Sequence, residues 1–346
     1  MADIIEPEVF LKKMHSVPAA DVRTPAEFLN GHIPGAVNIP LFTNEERAEI
    51  GTIYKQRGNN AAVMRGLEIT GPKLASFVKE AQSISPKNEI LVHCWRGGMR
   101  SSSFAWLLET AGMKVSVLSG GYKNYRHFIR NEFLKMNKVI ILGGMTGSGK
   151  TDILKSLAVS GEQVLDLEKY ANHKGSAFGF IGQDAQPTNE QFENETYEQM
   201  QNMDLSERIW IEDESLKIGK VIINENLYSK MRNAPLIKMN IPQEIRVKRL
   251  VRDYCIVDAD ILTAVVNKIT KRLGDRNARD VIDRITKSDF DSAVKIILDY
   301  YDKGYLHGIG KRDSSMIHEI DINSGDPDEC AFTVLEFCKK LERIND

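Results

Sequence analysis

Short apolar runs alternate with helical patterns through the first third of the chain. The apolar runs, each typical of a buried strand, lie at 19–22, 89–93 and 114–118. Between the last two, residues 101–110 place apolar side chains such as Phe104 on one helix face. Strands that alternate with helices in this way predict a parallel sheet whose two faces are both covered by helices.

A second series of elements begins without any long linker. A helical pattern at 122–136 is followed at once by an apolar strand at 138–142, so we place a domain boundary near residue 136. This divides the chain into a first domain at 1–136 and a second at 137–346. Further strands of the second domain are predicted at 163–166, 208–212, 235–239 and 318–322. Residues 243–305 form a charged helical region, and Asp326 followed by Pro327 predicts the start of a last helix.

Composition indicates an ordinary soluble protein. Of 346 residues, 42% are apolar and 27% are charged, and four are cysteines with no zinc-like or paired spacing. We expect a reducing compartment, no disulfides and a cytoplasmic location, because no signal peptide or membrane-spanning segment is apparent. The net charge is −2, with +4 on residues 1–136 (17 basic against 13 acidic), so any nucleic-acid contact must come from local patches.

Cys94 lies in a loop between a predicted strand and a predicted helix. Arg96, the pair Gly97 and Gly98, and Arg100 follow it. Backbone N–H groups of such a loop, together with a helix N-terminus, stabilise a thiolate and bind anions. We therefore expect Cys94 to be reactive, with Arg96 and Arg100 as oxyanion donors. The other three cysteines lie in apolar contexts typical of structural cysteines.

Residues 144–151 read GMTGSGKT, which fits the phosphate-binding P-loop motif in full. The motif follows an apolar strand and precedes a helical pattern, as a P-loop should. The residues expected to bind a phosphate or diphosphate are Gly144, Thr146, Gly147, Ser148, Gly149, Lys150 and Thr151. The hydroxyl of Thr151 is also suited to Mg²⁺.

Acidic residues at strand ends are candidates for a metal-linked role beside the P-loop. Asp213 and Glu214 follow the strand at 208–212, and Asp166, at the end of the strand at 163–166, is the rival candidate. No guanine-reading motif follows, which disfavours a GTPase.

Two segments, DVRTPAEF at 21–28 and GHIPGAVNIP at 31–40, resemble the rhodanese signature, and LSGGY at 118–122 resembles a later segment of that family. Rhodaneses carry sulfur as a cysteine persulfide. Simple rhodaneses usually have four residues between the cysteine and the loop-closing arginine, whereas five separate Cys94 from Arg100. The larger loop resembles that of related cell-cycle phosphatases and implies a pocket for a phosphate-bearing donor rather than plain thiosulfate.

A rhodanese-like domain joined to a P-loop domain resembles the tRNA 2-selenouridine synthase family. The resemblance covers most of residues 18–306. It rests on the segments at 45–47, 51–56, 66–69, 166–168, 173–179, 210–215, 271–274 and 300–302. Lys174 and Lys217 stand where arginine is expected, and Trp95 is bulkier than the family's residue beside the cysteine. The implied fold is a rhodanese-like parallel-sheet domain followed by a P-loop NTPase-like α/β domain with a helical, charged extension.

The resemblance implies a two-step reaction on tRNA that carries 2-thiouridine at the wobble position. Geranyl diphosphate first S-geranylates the thiouridine. Selenophosphate, supplied by a selenophosphate synthetase, then provides selenium that replaces the geranylthio group. Cys94 would carry this selenium as a perselenide. No tightly bound cofactor is implied, although Mg²⁺ on Thr151 is compatible with the motif.

Contact with tRNA requires local basic surface. Residues 243–287 hold 11 basic and seven acidic residues. Arg246, Arg249 and Arg252 recur at about helical spacing, which predicts one phosphate-facing stripe, and Lys271 and Arg272 extend the basic character.

Three other functions are compatible with the motifs. One is a P-loop small-molecule kinase with a regulatory rhodanese module, and another is a non-catalytic chalcogen carrier. The third is a phosphatase, although no acid for the leaving group is evident near Cys94. The sequence leaves open whether the P-loop takes geranyl diphosphate or ATP.

Overall fold

A computed structural model describes residues 2–255 and 257–345. The chain forms two compact units. The first comprises Met1–Glu132 together with Thr188–Glu198, and the second comprises Phe133–Pro187 and Gln199–Asp346. The segment Thr188–Glu198 thus belongs to the first unit, whereas the sequence analysis assigned all of 137–346 to the second domain.

The first unit is built on a five-stranded parallel sheet, counted over the described residues, in the order β1-β5-β4-β2-β3. Its strands are β1 (Asp3–Ile5), β2 (Ala19–Asp21), β3 (Val37–Asn38), β4 (Glu89–His93) and β5 (Lys114–Leu118). Its helices are α1 (Pro7–Met14), α2 (Pro25–Asn30), α3 (Asn44–Arg57), α4 (Asn59–Thr70), α5 (Leu74–Ile84), α6 (Met99–Thr110) and α7 (Gly121–Glu132).

The central strand β4 shows why these residues form a buried strand. Ile90, Leu91 and Val92 are fully buried, so helices must cover both faces of the sheet, as a parallel sheet requires. Phe77 of α5 and Phe104 of α6 pack against one another in this core, with ring centroids 5.7 Å apart.

The segment Thr188–Glu198 is fixed to the first unit by buried polar contacts. The side-chain amide of Asn194 donates to the carbonyl of His32 (2.7 Å) and to the hydroxyl of Tyr122 (2.8 Å). Arg126 of α7 pairs with Glu193 and donates to the backbone oxygen of Glu190 (3.1 Å). This segment is therefore part of the first unit's packing, although it follows the P-loop in sequence.

The second unit is also built on a parallel sheet, in the order β12-β11-β6-β8-β7. Its strands are β6 (Val139–Gly144), β7 (Gln163–Leu165), β8 (Ile209–Glu212), β11 (Leu236–Asn240) and β12 (Ile317–Asp321), with a short antiparallel pair of β9 (Lys217–Ile218) and β10 (Val221–Ile222). Its helices are α8 (Lys150–Val159), α9 (Leu167–Ala171), α11 (Glu225–Asn233), α12 (Gln243–Tyr254), α13 (Ala259–Leu273), α14 (Asp275–Thr286), α15 (Phe290–Ile309) and α16 (Pro327–Asn345). Helix α10 (Asn189–Gln201) contributes its last residues to this unit.

Among the described residues, three apolar clusters stabilise the second unit, the smallest of them formed by Val247, Val294 and Leu298. Trp210, a fully buried residue of β8, shares an apolar cluster with Ile237 and with Val334 of α16. Helices α13, α14 and α15 form a separate cluster around Val266, Val281 and related side chains. This cluster is the charged helical extension predicted at 243–305, within which residue 256 lies outside the described residues.

The predicted α/β class with parallel sheets is confirmed. Strands β4 and β5 have the bounds predicted from their apolar runs. The sequence analysis missed β1, β3 and the β9–β10 pair, each of two or three residues. In the part of the chain that the structure describes, no helix combines the length and apolarity needed to cross a bilayer.

Candidate active sites

Cys94 follows the carboxyl end of β4 and faces the N-terminus of α6. The loop turns at Gly97, which has a left-handed φ of 65°. The backbone N–H groups of Tyr122 and Lys123 donate to the carbonyls of Cys94 (2.8 Å) and Trp95 (2.9 Å). A Cβ on Gly121 would overlap the carbonyl oxygen of Cys94, so the segment at 118–122 must carry glycine to pack against the reactive loop.

The environment of Cys94 favours its thiolate. Its side chain is only 2% exposed, and its Sγ lies 3.2 Å from the hydroxyl oxygen of Ser101. Burial raises the pKa of Cys94, but hydrogen bonds from the Ser101 hydroxyl and the backbone N–H groups of Arg96 and Ser101, with the charge of Arg100, lower it overall. The geometry is that of a nucleophile in an anion-binding loop.

Arg100 is oriented by an acid that the sequence analysis gave no role. The guanidinium of Arg100 donates to both carboxylate oxygens of Glu27, at 2.8 and 3.3 Å. Burial raises the pKa of Glu27, but the hydrogen bonds from Arg100 and from the Thr24 N–H lower it overall. Arg96, in contrast, is exposed and has no acidic partner among the described residues.

A cavity of about 940 Å³ opens above Cys94. Its floor is the cysteine loop, and its walls come from α2 and α3, which contribute Glu27, Asn30, Arg47 and Tyr54. The cavity therefore combines a buried cysteine, three arginines and two aromatic side chains, Tyr54 and Trp95.

Behind the loop, a buried ion pair supports the first unit. Arg23 and Asp21 are both fully buried and pair through two guanidinium nitrogens. Arg23 also donates to the carbonyl of Gly31 (2.7 Å), and its guanidinium carbon lies 3.8 Å from the centre of the Tyr122 ring. Burial lowers the pKa of neighbouring His93 to about 4, so this histidine is neutral at physiological pH. Asp21 and Arg23 of the segment at 21–28 thus support the loop through buried contacts.

The P-loop connects β6 to α8. Gly147 and Gly149 have left-handed φ values of 81° and 80°, which only glycine adopts readily. Lys150 Nζ donates to the carbonyl of Gly144 (3.1 Å) and lies 3.4 Å from Glu212 Oε1. Burial lowers the pKa of Lys150, but the surrounding carboxylates raise it overall, so the ammonium is retained.

Three carboxylates converge on the Thr151 hydroxyl side of the loop. Thr151 Oγ1 lies within hydrogen-bond distance of carboxylate oxygens of Glu168 (2.9 Å) and Glu212 (3.0 Å), and ligand oxygens of Glu168, Glu212 and Glu214 lie within 4.8 Å of one another. Burial and repulsion from neighbouring carboxylates raise the pKa of Glu168 to about 8 and also raise those of Glu212 and Glu214. This set of hard oxygen donors fits Mg²⁺, which would neutralise charge on a bound diphosphate.

The predicted acids separate in the structure. Glu214 belongs to the carboxylate cluster, whereas Asp166 caps α9 by accepting from the Lys169 N–H (2.9 Å). Asp213 pairs with buried Arg312 (2.8 Å). Glu168 and Glu212, the acids that contact Thr151, were not predicted. Glu212 is the last residue of β8, and Glu168 lies shortly after the end of β7. Because the carboxyl ends of neighbouring parallel strands meet at one edge of a sheet, these positions were the available signal for both acids.

Comparison with known proteins identifies both units. Residues 6–127 match the rhodanese-like domain, and residues 137–334 match the profile described as the tRNA 2-selenouridine synthase AAA domain. The chain belongs to the tRNA 2-selenouridine synthase family. Proteins named tRNA 2-selenouridine synthase from Shewanella frigidimarina and Bdellovibrio bacteriovorus are 32% and 33% identical to it. The two alignments cover 88% and 86% of this chain, and 92% and 90% of those proteins. The protein of that name from Bordetella petrii is 38% identical, over 72% of this chain and 67% of its own.

In this member of the tRNA 2-selenouridine synthase family, the predicted RNA-facing stripe of Arg246, Arg249 and Arg252 is contradicted at its first two residues. Arg246 and Arg249 are only 4% and 7% exposed. Arg246 pairs with Asp302 (2.9 Å) and donates to the carbonyl of Thr146 (3.2 Å), so it supports the P-loop from below. The helical spacing was correct, but this face of α12 is turned inward.

The remaining predicted RNA contacts lie on the surface of the synthase-family domain. Lys271 and Arg272, at the end of α13, are exposed. Arg252 is also exposed and lines the P-loop cleft, a cavity of about 870 Å³, where its guanidinium lies near Asp253 and Asp152. All three of these side chains are exposed.

A second, apolar pocket of this synthase-family domain adjoins the P-loop cleft. Its cavity volume is about 50 Å³, and helices α12, α13, α14 and α15 supply most of its walls. It shares five residues with the P-loop cleft, which are Thr146, Ser176, Leu250, Tyr254 and Tyr301. The sequence analysis did not predict this pocket, because its wall residues come from segments far apart in sequence.

Proposed function

We propose that the chain converts 2-thiouridine at the tRNA wobble position to 2-selenouridine in two steps, geranylation followed by selenium transfer. Membership of the tRNA 2-selenouridine synthase family supports the overall conversion. The presence of a nucleophilic cysteine loop in one unit and a P-loop in the other supports a division of the two steps between two sites. We place the reaction in the cytoplasm, with a selenophosphate synthetase as supplier of the donor.

The first step is assigned to the P-loop. The sulfur of 2-thiouridine attacks C1 of geranyl diphosphate, the C–O bond breaks, and diphosphate leaves with the electron pair. Lys150 and the backbone N–H groups of the loop would stabilise the charge that develops on the leaving diphosphate. Thr151, Glu168, Glu212 and Glu214 would hold Mg²⁺.

The observation that carries this assignment is the apolar pocket beside the phosphate site. Leu262, Phe290 and Ile297 are among the side chains that line it, which is the surface an isoprenoid chain requires and a ribose does not. Since about 50 Å³ is smaller than a geranyl chain, binding requires side chains such as Leu250 at the pocket mouth to move. A diphosphate with an apolar tail therefore suits this site better than ATP.

The second step is assigned to Cys94. S-Geranylation converts a poor leaving group into a thiolate leaving group, so a selenium nucleophile can add at C2 and expel geranylthiolate. The lowered pKa of Cys94 and the unpaired charge of Arg96 suit activation of anionic selenophosphate. Exposed Arg252, Lys271 and Arg272 would contact tRNA phosphates.

Mass spectrometry of tRNA nucleosides tests the assignment. Wild-type protein given 2-thiouridine tRNA, geranyl diphosphate and selenophosphate should form 2-selenouridine. Cys94→Ala should accumulate S-geranyl-2-thiouridine, and Lys150→Ala should lose both products, because geranylation comes first. Cys330→Ala, a buried cysteine outside both sites, is the matched control and should retain both steps.

Two outcomes would refute the proposed function. Failure of the wild type to form any geranylated nucleoside, with ATP turnover instead, favours the kinase. Formation of 2-selenouridine by Cys94→Ala at the wild-type rate removes the cysteine from the pathway of selenium.

A further inference from the structure

We infer that the cavity above Cys94 binds the modified nucleotide itself, flipped out of the anticodon loop, with Tyr54 as a stacking surface and Arg47 as a phosphate contact. The inference rests on the proposed function but not on which chemical form of selenium is present. The nucleotide-binding site would lie in the first unit, where the sequence indicated only a site for the selenium donor.

Because Cys94 is buried, the base must enter the cavity to reach the selenium atom. Only 2% of the side chain is exposed, so a selenium atom bound to or released beside its sulfur is reached only through the cavity. Carbon C2 of the uracil ring must come within bonding distance of that selenium. Enzymes that act on one base of an RNA loop meet this requirement by extruding the nucleotide into a pocket.

The cavity is large enough for such a nucleotide. The loop at 94–100 alone suffices to hold a phosphate-sized anion. The cavity of about 940 Å³ lies in the range of sites that enclose a whole small-molecule ligand, which is roughly 300–1,000 Å³. Most of its volume is therefore available to a second, larger reactant.

One face of α3 supplies the groups that recognise a nucleotide. Arg47, Gly51 and Tyr54 recur at intervals of four and three residues, which places them on the same side of the helix. A Cβ on Gly51 would lie 3.2 Å from Arg47 Nη1, so glycine leaves room for that guanidinium. Both Arg47 and Tyr54 line the cavity.

No structural role explains the presence of Arg47 or of Tyr54 at its position. Helix α3 buries none of its residues, and Tyr54 is 58% exposed. Arg47 has no carboxylate partner among the described residues. An exposed aromatic ring beside unpaired arginines, at the mouth of a reactive cavity, is the combination by which proteins bind unstacked bases of single-stranded RNA.

Selenium transfer from purified S-geranyl-2-thiouridine tRNA tests this site, since that substrate bypasses geranylation. With selenophosphate saturating, Tyr54→Ala should raise the KM for tRNA roughly tenfold, because one stacked base is lost. Tyr54→Phe keeps the ring and should retain most of the affinity, and Arg47→Gln should raise KM by a smaller factor. Arg57→Gln, on the same helix but outside the cavity, is the control.

Two further readouts separate base binding from other roles. Geranylation of 2-thiouridine tRNA and tRNA-independent turnover of selenophosphate should be normal in Tyr54→Ala. An unchanged KM in this variant overturns the inference, as does an equal loss of selenophosphate turnover without tRNA. Failure of the wild type to make 2-selenouridine would instead refute the proposed function.

A second inference concerns the atom that Cys94 attacks. We propose that the thiolate attacks the phosphorus of selenophosphate, in place of the perselenide route that the family resemblance implies. The S–P bond forms, the P–Se bond breaks, and selenium leaves with the electron pair as hydrogenselenide, whose proton comes from the hydrogenselenophosphate dianion itself. Water then hydrolyses the phosphocysteine to phosphate and thiol, while hydrogenselenide replaces geranylthiolate at C2.

Electron balance supports attack at phosphorus. Attack at selenium would leave the P–Se electron pair on phosphorus as phosphite, and transfer from the resulting perselenide would leave Cys94 oxidised. Turnover would then need an added thiol reductant. Attack at phosphorus needs neither an oxidant nor a reductant.

The groups around the cavity support the same choice. Glu27, the carboxylate among the described lining residues, is bound by Arg100 and by the Thr24 N–H, so it stays ionised and donates no proton. An alkoxide leaving group would need such a proton, but hydrogenselenide, a weak base, does not. The site therefore suits a P–Se bond and does not suit an ordinary phosphate monoester.

Selenophosphate labelled separately in phosphorus and in selenium distinguishes the two routes, because the two cysteine adducts have nearly equal mass. After an acid-free quench without tRNA, the peptide that contains Cys94 should carry the phosphorus label, and selenide should appear in solution. Selenium label on this peptide with phosphite in solution overturns the proposal. Absence of both labels from the peptide overturns it as well. Cys94→Ala, which should carry neither label, is the control.

Discussion

The guanidinium of Arg249 donates a hydrogen bond of 3.0 Å to the carbonyl oxygen of Gly147, within the P-loop. The same guanidinium lies so close beneath Gly149 that a Cβ on this glycine would overlap it. Arg246, one helical turn earlier, donates to the carbonyl of Thr146 (3.2 Å). Two arginines of α12 thus hold the outer carbonyls of the loop, which leaves the loop N–H groups directed to a phosphate.

Replacement of Arg246 should therefore destabilise the second unit. Arg246→Met leaves Asp302 without its buried partner, and we expect the free energy of unfolding to fall by about 3 kcal/mol. Hydrogen exchange in urea, measured on peptides of the second unit, checks this. Arg252→Met, on the exposed side of the same helix, should change stability by less than about 0.5 kcal/mol. Equal effects of the two substitutions would contradict the supporting role.

Binding of tRNA should depend on the exposed basic residues. Lys271→Ala and Arg272→Ala should each weaken binding and make the slope of log K against log salt shallower by about 1, because each removes one phosphate contact. Arg252→Ala should behave in the same way. A filter-binding titration across salt concentrations measures the slope. Slopes equal to that of the wild type in all three variants would place the RNA elsewhere.

The cysteines should differ in the pH at which they react. Since the pKa of Cys94 lies below the ordinary value of 9.0, its rate of alkylation by iodoacetamide should reach half-maximum below pH 9.0. Burial raises the pKa of Cys255 to about 11, so Cys255 should stay largely unreacted up to pH 9. Peptide mass spectrometry measures both rates. Ser101→Ala, which removes a hydrogen bond to the thiolate, should move the Cys94 profile to higher pH, and an unmoved profile would count against this bond.

Filling the apolar pocket should block the isoprenoid chain without blocking phosphate binding. Ala293 is buried and lines the pocket, so Ala293→Leu should raise the KM for geranyl diphosphate by tenfold or more. Calorimetric binding of inorganic pyrophosphate should be unchanged. Ala278→Leu, at a buried alanine of the same helical cluster that does not line the pocket, is the control for overpacking. A normal KM in a folded Ala293→Leu variant would place the chain in another cavity.

The sequence alone predicted the positions of the cysteine loop and of the P-loop. Cys94 and the P-loop each follow an apolar strand and precede a helical pattern, and a parallel α/β sheet places such loops at the carboxyl ends of its strands. The glycines of both loops were equally informative, because left-handed backbone and close packing admit few other residues. Local sequence therefore predicted where each loop lies, and the class of fold followed from the alternation of strands and helices.

Tertiary structure decided which distant side chains complete each site. Glu168 and Glu212 reach Thr151 because β7 and β8 end at the same sheet edge, a pairing that local sequence does not encode. Arg246 and Arg249 have the spacing of a solvent-facing stripe, and only the packing of α12 against the P-loop shows that this face is buried. Asn194 lies beyond the P-loop in sequence yet bonds to Tyr122 of the first unit. In each case the deciding contact joins residues far apart along the chain, where spacing and composition carry no information about distance.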